Sequence, residues 1–167
     1  QLRRKHPDNP RVLEIMISAH LEMHDYTKAL QCAMDLLKLD KNHQNSRQLL
    51  QDLGGEHVRS LFKNNQRHEG MRLLQALIRA DSNYPPFHAL LGEVYLSQRK
   101  EHQAQETLQR CIEVSEDKAL AHAQVGKVYM MAEYLKRAEA HFKEALDRQA
   151  EQANILLTIE IDPRYIL

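Results

Sequence analysis

The chain has no Trp and only three Phe, five Gly and five Pro in 167 residues. Sheet proteins rely on turn formers about every ten residues, so this scarcity argues against an all-β fold. An excess of either charge is also missing, since 23 Lys plus Arg stand against 23 Asp plus Glu. No long-range field draws such a chain to nucleic acid or to anionic lipid. Long hydrophobic runs are absent: the nearest, residues 155–161, includes Thr158 and Glu160 and is far shorter than the roughly 20 residues of a membrane helix. The opening stretch QLRRKHPDNP carries charge with no apolar segment behind it, so it is not a signal peptide. It has no initiator Met, and the chain reads as a fragment or a processed form. Cysteine is scarce as well. Cys32 and Cys111 fall on separate predicted helices without close-spaced partners, the pattern of small buried hydrophobes. The compartment stays open, with a soluble, cytoplasmic protein favoured.

What the chain does have is helical periodicity. Apolar residues recur three and four apart almost throughout, and alternation is confined to the last dozen residues. Breakers at Pro7 and Pro10, at 41–46, at 81–86 and at 115–119 divide the chain. The intervals predict helices over 11–23, 27–40, 46–64, 67–80, 86–98, 101–115, 119–132 and 135–149. A second regularity lies above the first: HALLGEVY at 88–95 returns as HAQVGKVY at 122–129, thirty-four residues later. Gly70, Ala104 and Ala138 keep that interval, while Ala29 precedes Gly70 by forty-one. Small residues in such series let two helices approach closely, and a helix pair of this length must stack on copies of itself to bury its apolar face.

The pattern resembles the tetratricopeptide repeat. Its third unit supplies His88, Leu91, Gly92 and Tyr95, then Ala104 and Leu108, and its fourth supplies His122, Val125, Gly126 and Tyr129, then Ala138, Phe142 and Ala145. The first unit is looser, with Leu13, Met16, Ile17 and His20, followed by a well-matched second helix from Tyr26 through Ala29. In the second unit the first helix carries seven extra residues and the pair Gly54-Gly55, so a longer helix that kinks or breaks there is expected. The resemblance implies an all-α fold, a right-handed superhelical α-solenoid of antiparallel helix pairs at 10–43, 44–84, 85–118 and 119–152. Residues 1–9 read as the end of a preceding repeat and 153–167 as a capping segment. That cap is expected to be a helix stopped by Pro163, with a short strand as the alternative because Ile155, Leu157, Ile159 and Ile161 alternate.

Chemistry finds little to use. His20 and His24 have ligand-compatible spacing without a third ligand nearby, and HEGMR at 68–72 lacks the second His of a zinc-protease motif. His88 and His122 occupy the bulky position of their repeats and read as packing residues. There is no Gly-rich phosphate loop and no Gly-x-Ser-x-Gly elbow. Glu139, Glu144 and Asp147 share a helix with Lys136, Lys143 and Arg148, which is an ordinary solvated face. No catalytic residue, metal or cofactor is expected, and the chain reads as a non-enzyme.

The resemblance implies a protein-interaction scaffold, part of a larger assembly or regulatory protein, with a partner peptide or amphipathic helix on the concave face of the first helices. A self-associating module is the alternative, and a metal-binding or enzymatic domain a distant third. By position, the face comprises Arg11, Glu14, Ser18 and Glu22; then Glu56, Arg59 and Lys63; then Ala89, Glu93 and Leu96; then Leu120, Ala123, Lys127, Met130 and Met131. It grades from charged to apolar. A subclass of the family clamps acidic chaperone tails with Lys, Asn and Arg. Neither frame of this chain supplies that clamp, having Glu14, Ser18, Glu56, Pro86 and Leu90 in one and Gly55, Arg59, Leu90, Leu120 and Gln124 in the other. A chaperone tail is therefore not the expected ligand. Met130 and Met131 have a second possible use, packing against the C-terminal segment.

Overall fold

A computed structural model describes residues 9–161, with side chains described through Gln152. Among the described residues every regular element is helical: α1 Pro10–Glu22, α2 Tyr26–Leu39, α3 Gln44–Lys63, α4 Arg67–Ala80, α5 Pro85–Ser97, α6 Glu101–Val114, α7 Lys118–Met131 and α8 Leu135–Ile161. The class is the expected one, all-α and built of antiparallel helix pairs. Local chemistry sets the starts. Asn9 accepts from the Arg11 N–H with Pro10 in the first turn, Asp25 from Lys28, His43 from Ser46 and Asp117 from Leu120, each satisfying a donor that the helix leaves open.

Within every pair the two helices are joined by the same turn. His24, Asn65, Arg99 and Glu133 have positive φ of 56°, 62°, 57° and 65°. At each, the N–H of that residue bonds three residues back and the next N–H five residues back, as His24 to Leu21 and Asp25 to His20, or Glu133 to Met130 and Tyr134 to Tyr129. This is the Schellman arrangement, in which a left-handed residue closes the helix and reverses the chain.

The chain divides into two units, Gln1–Phe87 and His88–Leu167. In the first, α2 packs on α1 and α3, and α4 on both α2 and α3. Leu13, Cys32 and Leu36 form one cluster, with Met16 and Ile17 against it. In the second, Leu96, Ala104, Leu108, Cys111, Ile112, Ala121, Val125, Val128, Tyr129 and Ala138 form one continuous core. Lys118 ties α7 to the end of α6: its Nζ donates to the carbonyls of Ile112, Glu113 and Ser115, each at 2.8 Å, which uses all three ammonium hydrogens. Both cysteines are buried, as their sequence setting implied.

Two expectations are corrected. The Gly54-Gly55 pair does not break its helix, for α3 runs unbroken from Gln44 to Lys63. A Cβ at Gly54 would stand 2.9 Å from a Leu77 methyl, whereas one at Gly55 would meet nothing within 4 Å. Gly54 is a close-packing residue, and the helix it sits in is longer, as expected. The last helix does not end at 149. It continues to Ile161, so the alternation of Ile155, Leu157, Ile159 and Ile161 makes no strand. The physical reason is that extending a formed helix adds one hydrogen bond per residue fixed, and no Gly or Pro intervenes before Pro163. The expected repeat end at residues 1–8 and the segment from residue 162 onward lie outside the described residues.

Candidate functional site

In the first unit, α1 places Arg11, Glu14, Ser18 and Glu22 on one exposed face, and α3 does the same with Glu56, Arg59 and Lys63. Spacings of three and four explain the shared faces. Ser18 Oγ donates to the Glu14 carbonyl at 3.3 Å. The Glu14 carboxylate takes part in a second contact, 3.2 Å from His43 Nε2. The Ser46 N–H donates to His43 Nδ1, so Nδ1 is bare and Nε2 carries the hydrogen that Glu14 accepts. The charged character read from the sequence is thus partly tied into the fold.

In the second unit, Ala89 and Glu93 are half-buried on α5. Leu96 does not line a face at all: at 4% exposure it belongs to the core. On α7, Lys127 is exposed and Ala123 half-buried, while Leu120, Met130 and Met131 are 55%, 48% and 63% exposed. The C-terminal segment that would cover the Met pair lies largely outside the residues whose side chains are described. Since α8 runs antiparallel to α7 and continues to Ile161, it overshoots the start of α7 by roughly 20 Å at 1.5 Å per residue, at the end remote from Met130. A cleft of about 350 Å³ opens there between α7 and α8, lined by Leu120, Ala123, Phe142, Ala145 and Leu146 among others.

The histidines at the two repeat positions serve packing. His88 is 7% exposed, and His122 is half-buried, with Nδ1 3.1 Å from Nδ1 of His141. His141 also stacks on Tyr129, the rings 5.5 Å apart and 15° from parallel. Burial lowers both imidazole pKa values below the ordinary range, with Arg148 adding to the effect at His122 and His122 adding to it at His141. One neutral ring donates to the other. Nothing in the residue pattern announces this pair, because His141 lies nineteen residues on and in no motif. His24 Nδ1 is 3.0 Å from the Tyr26 hydroxyl, and among the described residues no three His, Cys, Asp or Glu gather as a metal site. Burial pushes the Cys111 thiol up to about 11, so it supplies no thiolate at neutral pH. Glu144 and Arg148 pair at 2.8 Å on the solvated face of α8. No helix of the described residues is long and apolar enough to cross a membrane.

Paired antiparallel helices, one recurrent turn and a small residue at each close approach define a helical-repeat protein. Residues 85–118, spanning α5 and α6, match the family model described as tetratricopeptide repeat. Among solved structures, a crystal structure of MamA protein aligns over 91% of this chain and 79% of its own at 19% identity, with a TM-score of 0.54. A further crystal structure of MamA aligns over 92% and 85%, also at 19% identity, with a TM-score of 0.52. MamA from Desulfovibrio magneticus RS-1 aligns over 90% and 81% at 21% identity, with a TM-score of 0.50. Likeness at these identities is likeness of fold. No curated protein matches the chain. In fold the chain is a helical-repeat protein, and its third pair matches the tetratricopeptide-repeat model.

Proposed function

We propose that the chain is a protein-interaction scaffold, without catalytic activity, and that its partner is a polypeptide with an apolar face. The observation that carries this reading is the exposure of Leu120, Met130 and Met131 on α7, the first helix of a pair. Large apolar side chains at three places on one helix exceed the scattered exposure normal for a soluble surface. Methionine is unbranched and polarizable, which suits it to a partner helix whose side chains it must fit. Glu14, Glu22 and Glu56 on α1 and α3 disfavour an acidic tail there, and the balanced net charge gives nucleic acid no electrostatic hold.

The test is a crosslinking pull-down with three forms of the chain: the parent, a Met130→Glu plus Met131→Glu variant and an Arg59→Glu plus Lys63→Glu variant, each checked for helicity by circular dichroism. Loss of a partner with the Met variant and retention with the charge variant is the expected result. Equal capture by all three would remove α7 from the binding surface.

A further inference from the structure

We propose that a groove between α2 and α4, the second helices of the first two pairs, binds a short acidic segment of another protein in extended form, with one apolar side chain of that segment seated on its floor. Two cavities make up the groove. One, of about 500 Å³, has Met34, Leu37, Ala76 and Ala80 in its lining. The other, of about 470 Å³, lies alongside and shares Gln31, Ala76 and Arg79 with it. Both volumes are those of ligand pockets, about 300–1,000 Å³. The space exists because Ala76 and Ala80 are small where longer side chains on α4 would reach across to Leu37. The lining runs from Thr27 to Lys38 on α2 and from Glu69 to Ala80 on α4, a rise of roughly 16 Å along each helix. That is the length of about five residues of extended chain, which a peptide fills and a single small anion does not. Every residue of the lining belongs to the first unit.

Charge selects the occupant. Lys38, Lys41, Arg47 and Arg79 line the larger cavity and no carboxylate does, while the smaller adds Arg72 against Glu69. The carboxylates nearest in sequence are already engaged: Asp35 accepts from Gln31 and Lys38 at 3.1 and 2.8 Å, and Asp40 from the Asn42 N–H. Helix dipoles account for Lys38 and Arg79, which lie in last turns. They do not account for Arg72 midway along α4, nor for Arg47 at the start of α3, where the dipole disfavours a cation. Arg47 is half-buried; its Nη2 donates to the Lys41 carbonyl at 2.7 Å, and its Nε is buried with no acceptor among the described residues. A charge-assisted bond to a carboxylate relieves such an unmet donor. No aromatic side chain lines either cavity, so a nucleic acid finds no stacking platform. A flat bilayer does not reach a floor as deep as Met34 and Leu37, 4% and 5% exposed. Glu14, Glu22 and Glu56 are not in the lining, and neither is any residue of α7. The groove is therefore a second surface, distinct from the one proposed above.

Fluorescence anisotropy tests this with the full chain and a labelled five-residue peptide, leucine flanked by two aspartates on each side. The expected result is saturable binding to the parent with a Kd below about 1 mM. Binding should weaken by about tenfold or more for a Lys41→Glu plus Arg79→Glu variant, and likewise for an Ala76→Leu variant that fills the floor. It should be unchanged for a Lys136→Glu plus Lys143→Glu variant, which alters the net charge equally on α8, and for the Met130→Glu plus Met131→Glu variant. Peptides with asparagine for aspartate, or serine for leucine, should each bind about tenfold more weakly. Absence of binding up to about 1 mM protein overturns the proposal. So does equal binding of the asparagine peptide, or equal weakening by the α8 variant, which means net charge and not the groove. Loss of binding in the Met variant also overturns it, by placing the peptide on α7. Phosphatidylserine vesicles or an oligothymidine strand that bind through Lys41 and Arg79 where the peptide does not would assign the groove to another class of ligand. Should the groove variant lose helicity by circular dichroism, Lys41→Gln plus Arg79→Gln replaces it in the same scheme.

Discussion

Two glycines in helix interiors should respond to the same substitution with opposite signs. Replacing a mid-helix Gly by Ala gains up to about 1 kcal/mol from reduced backbone freedom in the unfolded chain. At Gly55 the new Cβ meets nothing within 4 Å, so that gain should appear in full. At Gly92 the Cβ would stand 2.5 Å from Leu108 Cδ2 and 2.6 Å from its Cγ, and Leu108 is 1% exposed. Because Cγ is the branch point, rotating a methyl away does not relieve the clash. The whole side chain must withdraw by about 1 Å, or α5 and α6 must part, and such overpacking costs about 1–3 kcal/mol. Net of the helical gain, Gly92→Ala should destabilise by roughly 1–2 kcal/mol. Urea unfolding followed by circular dichroism should then show a midpoint lowered by roughly 0.5–1 M for Gly92→Ala at unchanged slope, and raised for Gly55→Ala. If the two units unfold separately, the loss falls on the second transition and the gain on the first. Gly126→Ala should lie between, as its clash is with the Phe142 ring at 2.9 Å, which is only half-buried and free to swing. A Gly92→Ala protein as stable as its parent would refute the close-approach reading.

The His122 and His141 pair should make the second unit acid-sensitive. Both rings have folded pKa values below 6.5, so the unfolded chain binds more protons, and the stability they contribute is present above pH 6.5 and lost as pH falls below it. Arg148, Lys118 and Glu144 are the charges that act on His122, and Glu144 also acts on His141. Comparing unfolding midpoints at about pH 7 and about pH 5 should show a smaller loss for a His122→Gln plus His141→Gln variant than for the parent, and an equal loss would exclude the pair as the cause. The left-handed turn residues give another expectation. Glu133→Gly, at a φ of 65°, should stabilise by up to about 1 kcal/mol in the same urea assay, since Gly carries no Cβ penalty there. Asn65→Gly should change little, because Asn tolerates this conformation.

The fold was legible because repetition is a stronger signal than any one residue. Gly92 and Gly126 recur thirty-four residues apart, and each lies where a Cβ would strike the partner helix, on Leu108 or Phe142. The turns keep the same beat, with His24, Asn65, Arg99 and Glu133 at intervals of forty-one, thirty-four and thirty-four. Yet nothing in their chemistry announces it, for none is Gly and no two are alike. The packing of the two helices fixes the backbone there, and the residue tolerates it. Gly54 and Gly55 were misread for a related reason: adjacent letters of one type hide that one faces Leu77 and the other faces open space.

The site was less legible than the fold, and Leu96 shows why. Leu96 and Met130 hold the same repeat position and are both apolar, so a list made by register treats them alike. One is 4% exposed and the other 48%. The difference comes from the surroundings and not from the residue: the position is closed in the core that α7 helps to build and open on the pair that no described helix follows. Register therefore identifies which residues are able to form a contact surface, while the neighbouring helix decides which do. The same holds for Ile112 and Leu146. A partner surface in this chain is consequently expected to concentrate on α7 and α8, where apolar repeat positions are left open, and to be weak on α5, where the equivalent side chains are already used by the protein's own core.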